Sequence, residues 1–247
     1  MRGVLLAGGT GSRLHPLTSI TNKHLLPIGD RPMISYAVEA LVTAGVSEIM
    51  VVTGGTHAGE FLRLLSNGHD HGVDRLCYAY QERPGGIAEA LGLAERFASG
   101  EPVVVMLADN LVERSFAPSL EAFASQGGGA RLLLAKVDNP EHLSHLGVPE
   151  LDEEGRLVRI VEKPVQPPSS YCVTGIYLYD ASVFSVIATL SPSGRGELEI
   201  TDVNNVFIEA GTMRYDVIEG FWGDAGESIE AYYAVNDQVR RSGANHL

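Results

Sequence analysis

The chain has 247 residues, 45% of them hydrophobic and 20% charged, which suits one large domain or two small ones with an ample core and excludes a disordered class. Its net charge of −13 creates a field that repels nucleic acid and anionic membrane surfaces, so an anionic small molecule needs a locally basic pocket or a metal. No stretch approaches the ~20 apolar residues of a membrane span, and two distant cysteines, Cys77 and Cys172, match no zinc spacing, which points to a reducing, cytoplasmic setting.

In chain order, the first apolar run is "GVLLA" (3–7), a strand too short for a secretory h-region and closed by glycines. Four more strands follow: 47–53, 75–81, 102–107 and 131–137. All are near-continuous apolar runs, as expected for strands buried on both faces. Helical patterns lie between them at 32–44, 86–98 and 117–126, so the first half has the alternation of a parallel sheet covered by helices. The texture changes near residue 140. "GVPELDEEGRLVRIVEKP" has the alternation and the Asp-Glu-Glu-Gly turn of an antiparallel hairpin. A Pro-rich loop (164–170), a strand at 173–180 and helices at 201–211 and 226–240 complete the chain. No repeat or linker divides it, so one α/β domain with a mixed second half is the expected architecture.

The loop after the first strand, "AGGTGSRL", raises the question of function. Gly8, Gly9 and Gly11 free a backbone to approach a ligand, and Arg13 and Lys23 suggest that the ligand is anionic. The spacing excludes a dinucleotide fingerprint, because the third glycine would fall at Leu14, and no Gly-Lys pair exists for a P-loop. Lysine is scarce: Lys23, Lys136 and Lys163 stand against fifteen arginines, so each retained lysine suits a site wanting a compact point charge. "NGHDHGV" (67–73) groups His69, Asp70 and His71, but a Gly-flanked His-Asp-His is more often a solvated turn than a metal cluster.

"LLAGGTGSRLHPLT…NKHLLPIGDRPMI" resembles the signature of the sugar-1-phosphate nucleotidyltransferases. "QERPGGIAEAL", "LADN", "HLGVPEL", "VEKP", "VTGIYLYD", "RGELEITDVN" and "FWGDAG" recur in that family's order, so the resemblance spans nearly the whole chain. Within the family it looks most like the glucose-1-phosphate thymidylyltransferases. The resemblance implies a Rossmann-like three-layer α/β/α fold with a mostly parallel central sheet and a smaller antiparallel sugar-binding part. It further implies a nucleotide-binding half (1–135) and a sugar-phosphate-binding half (136–247) of one domain.

The reaction so implied joins a nucleoside triphosphate to a sugar 1-phosphate and releases pyrophosphate. A phosphate oxygen is already nucleophilic, so the protein's task is to align two polyanions and neutralise the leaving group. By resemblance, Leu6, Ala7, Gly8, Gly9, Gly11, Ser12, Arg13, Gln81 and Gly86 bind the nucleotide. Arg13, Lys23, Asp109 and Lys163 are the catalytic set, and Asp109 and Asp224 hold Mg²⁺. Asn110, Gly147, Glu162, Lys163, Thr174, Gly175 and Arg195 grip the sugar phosphate. Strand alternation would put Glu162 and Lys163 on opposite faces, so a twist before Pro164 is expected. Gln81, at a strand end, can offer a donor and an acceptor side by side to the N3–H and O4 edge of uracil or thymine.

Relatives usually carry tyrosine where Leu146 stands, which leaves the hexose open. Longer relatives continue with a helical extension that builds a regulatory site and subunit contacts, where this chain stops soon after 226–240. Homo-oligomerisation is expected, without nucleic-acid or membrane partners. The competing readings are a uridylyl- or guanylyltransferase, a non-catalytic nucleotide-sugar-binding protein of the same fold and, more weakly, a Rossmann oxidoreductase.

Overall fold

The computed structural model describes residues 1–247. The first half runs β1 (Arg2–Ala7), two 3-10 turns (Ser12–Leu14 and Lys23–Leu25), β2 (Pro27–Ile28), β3 (Arg31–Pro32), α1 (Met33–Thr43), β4 (Glu48–Gly54), α2 (Ala58–Leu65) and β5 (Arg75–Gln81). It continues through α3 (Ile87–Gly92), α4 (Glu95–Ala98), β6 (Val103–Leu107), β7 (Asn110–Val112), α5 (Ala117–Gln126) and β8 (Ala130–Lys136). The second half holds α6 (Pro140–Leu143), β9 (Gly147–Leu151), β10 (Leu157–Glu162), β11 (Tyr171–Tyr179), α7 (Val183–Thr189), α8 (Ile200–Glu209), β12 (Met213–Val217), β13 (Trp222–Asp224) and α9 (Ile229–Ser242).

Seven strands form one sheet in the order β12-β8-β11-β6-β1-β4-β5. All pairs are parallel except those of β11, which runs against both β6 and β8. The mostly parallel sheet expected from the sequence is therefore present. Its apolar strands are buried on both faces: Val4 and Leu6 of β1 join the core under α3, α7 and α8, while Leu5 and Ala7 join the core under α1, α2 and α5. That is a three-layer arrangement, in which alternate side chains of one strand feed two cores.

The five N-terminal strands lie where the apolar runs place them. The helix expected over 86–98 is broken into α3 and α4, with Gly92 ending the first piece, as glycine's poor helix propensity favours. The elements α2, α7, β7, β12 and β13 carry no clear signal in the sequence. The last three are short strands that exist through distant partners: β12 pairs with β8, and β13 pairs with β7 across more than a hundred residues.

This topology prepares one end of the sheet. β1, β4, β5 and β6 all deliver their C-termini to the same edge, the side on which open α/β sheets bind ligands. β11 aligns Ile176 with Met106 near the end of β6, so its first residues, Tyr171 to Gly175, extend beyond β6 over that edge. Beneath, the Tyr179 hydroxyl donates to Asn204 Oδ1 at 2.6 Å, with both residues buried. Tyr179→Phe would strip Asn204 of that partner, and a loss of about 1–3 kcal/mol in urea unfolding is expected.

Candidate active site

A cleft of about 670 Å³ opens at the C-terminal edge of the sheet. The glycine loop forms one wall, the β9–β10 hairpin another, and β11 with β13 the floor between them. A second cavity, about 360 Å³, lies beside α5 and His246 and includes none of the carboxylates and lysines considered below.

The glycines of the loop are explained by what lies underneath. Lys23 is buried, and a Cβ on Gly9 would sit 3.0 Å from its Cε, while one on Gly11 (φ +70°) would sit 2.9 Å from its Cβ. The loop is thus draped over a lysine. Asn22 orders both sides of this contact: its Nδ2 donates to the Gly9 carbonyl at 3.3 Å, and its Oδ1 accepts from the His24 N–H at 2.9 Å.

Lys23 Nζ donates to Asp109 Oδ2 in a buried ion pair. Burial alone would raise the Asp109 carboxyl, but the Lys23 ammonium beside it holds it well below the usual carboxylate range. His24, also buried and with Nε2 4.0 Å from Asp109, is pushed down to about 3 by burial and by the Lys23 charge, so its ring is neutral at pH 7. One positive charge therefore serves two aspartates, because Asp224 stands nearby. The β7–β13 register sets Asp224 opposite Asn110, and the Ala225 N–H donates to the Asp109 carbonyl at 2.9 Å. Burial and the Asp109 charge push Asp224 up to about 7, against the opposing pull of Lys23, of the Gly226 N–H at 2.8 Å and of Arg13.

This donor set fits a divalent cation: two adjacent carboxylates, one repelled by the other, which a hard cation would relieve. No third His, Cys, Asp or Glu joins them. Gly226 is required for the packing, since a Cβ there would fall 2.2 Å from Asp109 Oδ2.

Asn110 is the hub of the floor. Its Oδ1 accepts from Trp222 Nε1 at 2.7 Å and from the Gly175 N–H at 2.9 Å, and its Nδ2 donates to Asp109 Oδ1 at 3.2 Å. Three separate strands are thereby locked at one side chain.

On the far wall, Glu162 ends β10 opposite Gly147. Lys163 follows in the left-handed region (φ +46°), which turns it to the same side as Glu162, with Nζ 3.4 Å from Glu162 Oε1. This is the twist expected before Pro164, and a non-glycine left-handed residue costs about 1 kcal/mol. Thr201 Oγ1 donates to Glu162 Oε2 at 2.7 Å. Arg195 is held by Glu199 at 2.9 Å and lies 3.7 Å from Glu162.

Most of the residues singled out from the sequence meet here. Leu6, Gly8, Gly9, Ser12, Arg13, Gln81, Gly86, Asn110, Gly147, Glu162, Lys163, Gly175, Arg195 and Asp224 line the cleft. Lys23 and Asp109 lie just below its floor, and Ala7 and Gly11 support the loop without lining it. Thr174 is not brought to the cleft. Strand alternation turns Val173, Gly175 and Tyr177 inward and buries Thr174, whose hydroxyl donates to the Leu133 carbonyl at 2.8 Å. Gln81 also differs from expectation: its Nε2 is engaged by the Gly86 carbonyl and by Glu89, each at 3.2 Å, so only its Oε1 is offered. Asn22, His24, Tyr177, Thr201, Asn204 and Glu89 were not anticipated, and only Asn22 has a local signal, as a cap residue before a helical turn.

Comparisons with known proteins show the family and the fold. A sequence profile described as Nucleotidyl transferase matches residues 2–242. The chain belongs to that family. This nucleotidyltransferase is 45% identical over 243 residues to a glucose-1-phosphate thymidylyltransferase of Actinoplanes sp., covering 97% of this chain and 78% of the relative. It is 41% identical to one of Neisseria meningitidis, covering 92% and 78%. Its fold matches the crystal structure of a Bacillus anthracis protein described as a glucose-1-phosphate thymidylyltransferase in complex with sucrose, with a TM-score of 0.91, 45% identity, and coverage of 97% and 95%. A UDP-glucose pyrophosphorylase complexed with UDP-glucose matches with a TM-score of 0.81 at 26% identity, covering 97% and 98%. The expected fold and family are thus borne out, and the chain is an enzyme of nucleotide-sugar biosynthesis.

Two predictions follow from the geometry. Asp224, with its folded pKa raised, stabilises the metal-free protein below about pH 4 and loses that contribution as pH rises through about 7. His24, with its pKa lowered, acts oppositely between about pH 6.5 and 3, so the net curve mixes the two. The difference isolates Asp224: in metal-free buffer, the melting temperature of Asp224→Asn relative to the parent should rise from pH 5 to about 7 and level off above it. A flat difference would refute the assignment. Separately, Lys163→Asn, which tolerates the left-handed backbone, should melt within ~2 °C of the parent yet lose at least about 10²-fold in turnover.

Proposed function

We propose that this nucleotidyltransferase transfers the nucleotidyl group of dTTP to glucose 1-phosphate, yielding dTDP-glucose and pyrophosphate. The observation that carries the reading is the cleft's order of groups. A glycine loop with Arg13 stands at one end, the Glu162–Lys163 strand end at the other, and Asp109 and Asp224 lie between. Thymidylyltransferases at 41–45% identity over most of the chain support the same substrates.

Residues 1–135 serve as the nucleotide-binding half and 136–247 as the sugar-phosphate half of one domain. Gly8, Gly9, Ser12 and Arg13 receive the triphosphate, and the exposed Arg13 guanidinium neutralises the departing β- and γ-phosphates. Gln81 and Gly86 face the base. Glu162 accepts sugar hydroxyls beside Gly147 and Gly175, while Lys163 and Arg195 hold the sugar phosphate. A non-bridging oxygen of that phosphate attacks the α-phosphorus, and the bond from the α-phosphorus to the α,β-bridging oxygen breaks as pyrophosphate leaves. Lys23, pinned by Asp109, supplies a fixed positive charge under the phosphates. Asp109 and Asp224 would hold Mg²⁺, which when bound would neutralise phosphate charge.

No helix is long and apolar enough to cross a membrane. Both cysteines are free, and burial pushes the Cys172 thiol up to about 12. These features support a cytoplasmic enzyme, and homo-oligomerisation is carried over from the family resemblance.

The test is a pyrophosphate-release assay over dTTP, UTP, GTP and ATP with several sugar 1-phosphates. dTTP should lead, with UTP about 10–200-fold lower in kcat/KM, since neither the missing methyl nor the added 2′-hydroxyl discriminates strongly on its own. EDTA should abolish turnover and Mg²⁺ restore it. A preference for GTP or ATP, or full activity in EDTA, would overturn the reading.

A further inference from the structure

The Gln81 amide is held from one side only. Its Nε2 lies 3.2 Å from the Gly86 carbonyl and 3.2 Å from Glu89 Oε1, both obligate acceptors when Glu89 is ionised. Its Oε1 points the other way, towards the glycine loop, where a Cβ on Gly8 would lie 3.0 Å from it. Which atom of a glutamine amide is oxygen is decided by its partners. Here a flip would exchange two hydrogen bonds for two oxygen–oxygen repulsions.

Glu89 is itself constrained. Its Oε2 accepts from Arg83 Nε at 3.3 Å and from Arg83 Nη2 at 3.2 Å. Its carboxylate also lies so close to Gly85 that a Cβ there would fall 2.1 Å from Oε1. The Arg83 side chain is mostly exposed, so its pull on Glu89 is weaker than the direct Glu89–Gln81 bond.

We propose that Glu89, steadied by Arg83, is a positioning residue that fixes the Gln81 amide with only its carbonyl oxygen facing the nucleobase, so that the site selects bases with a protonated N3. This rests on the reading of Gln81 as the residue that meets the base. Thymine and uracil donate N3–H to such an acceptor. Cytosine presents a lone pair at N3, and oxygen against lone pair is repulsive. A freely flipping glutamine would accept either base. The lock thus turns an ambivalent side chain into a one-way reader, and it predicts discrimination that pocket size cannot supply, because cytosine and thymine rings are equally large.

The experiment compares kcat/KM for dTTP, dCTP and UTP in the parent, Glu89→Met, Glu89→Gln, Arg83→Met and Gln81→Met. The parent should reject dCTP. In Glu89→Met the dTTP/dCTP ratio should fall at least tenfold, while the dTTP/UTP ratio stays within about twofold, because the amide reads neither the methyl group nor the 2′-hydroxyl that separate those two. Glu89→Gln, which adds no bulk and can still accept, should fall by an intermediate factor, and Arg83→Met by less. A merely structural role would lower all three triphosphates by a common factor, and that result would overturn the proposal. Gln81→Met separates the two levels of the claim. If it collapses the dTTP/dCTP ratio while Glu89→Met does not, the base reader stands and the orientation lock fails. If it leaves the ratio untouched, the reading of Gln81 fails, and the lock with it.

Discussion

The buried contact between Lys23 and Asp109 is the constraint on which the rest of the site depends. Neither charge is tolerable alone at that depth, since an unpaired buried ion costs several kcal/mol. Together they fix the glycine loop above, because its backbone can lie over the lysine stem only without side chains. They also fix the loop from the other half of the chain, because Gly226 must approach the same carboxylate and ammonium. Residues near positions 9, 23, 109 and 226 are thus held in one place by electrostatics rather than by apolar packing.

The same pair sets the charge state of its surroundings. With Lys23 committed to Asp109, the neighbouring Asp224 lacks a full counter-ion and is left near its midpoint at neutral pH. His24 is kept neutral by burial and, next, by the ammonium beside it. In an acidic chain the cleft's cations are few and placed: Arg13, Lys163 and Arg195 line it beside Glu162, Glu197, Glu199 and Asp224.

How much of this was legible in the sequence follows from the range of each interaction. The strands ending at Ala7, Gln81 and Leu107 are written as local apolar runs, and the ordered motifs carried the family. The twist at Lys163 could be deduced, because two adjacent residues on a strand cannot otherwise face one cleft. What could not be read is what distant segments do to each other. Thr174 sits in a motif, yet alternation against Leu133 turns it into the core. The Gln81 amide loses its donor to Glu89, eight residues away on a short helix, and nothing in the string "QERPGGIAEA" announces that contact. The ribbon of β7 and β13 is two three-residue strands that become visible only once paired.

The reversed strand at the centre of the sheet has a consequence for biogenesis. β6 and β8 are separated in sequence only by the short β7 and by α5, but they are not neighbours: β11 fills the gap between them, and it begins at Tyr171, well after β8 ends at Lys136. On a ribosome, β1, β4, β5 and β6 would emerge with β6 still presenting an unpaired, wholly apolar edge. That edge closes only when Tyr171–Tyr179 clears the exit tunnel and inserts. Late, long-range closure of this kind is slow and exposes the nascent sheet to strand-mediated association. The segments before and after residue 136 are therefore not two folding units. A fragment ending at β8 would carry an unfilled slot through the middle of its core, between β6 and β8.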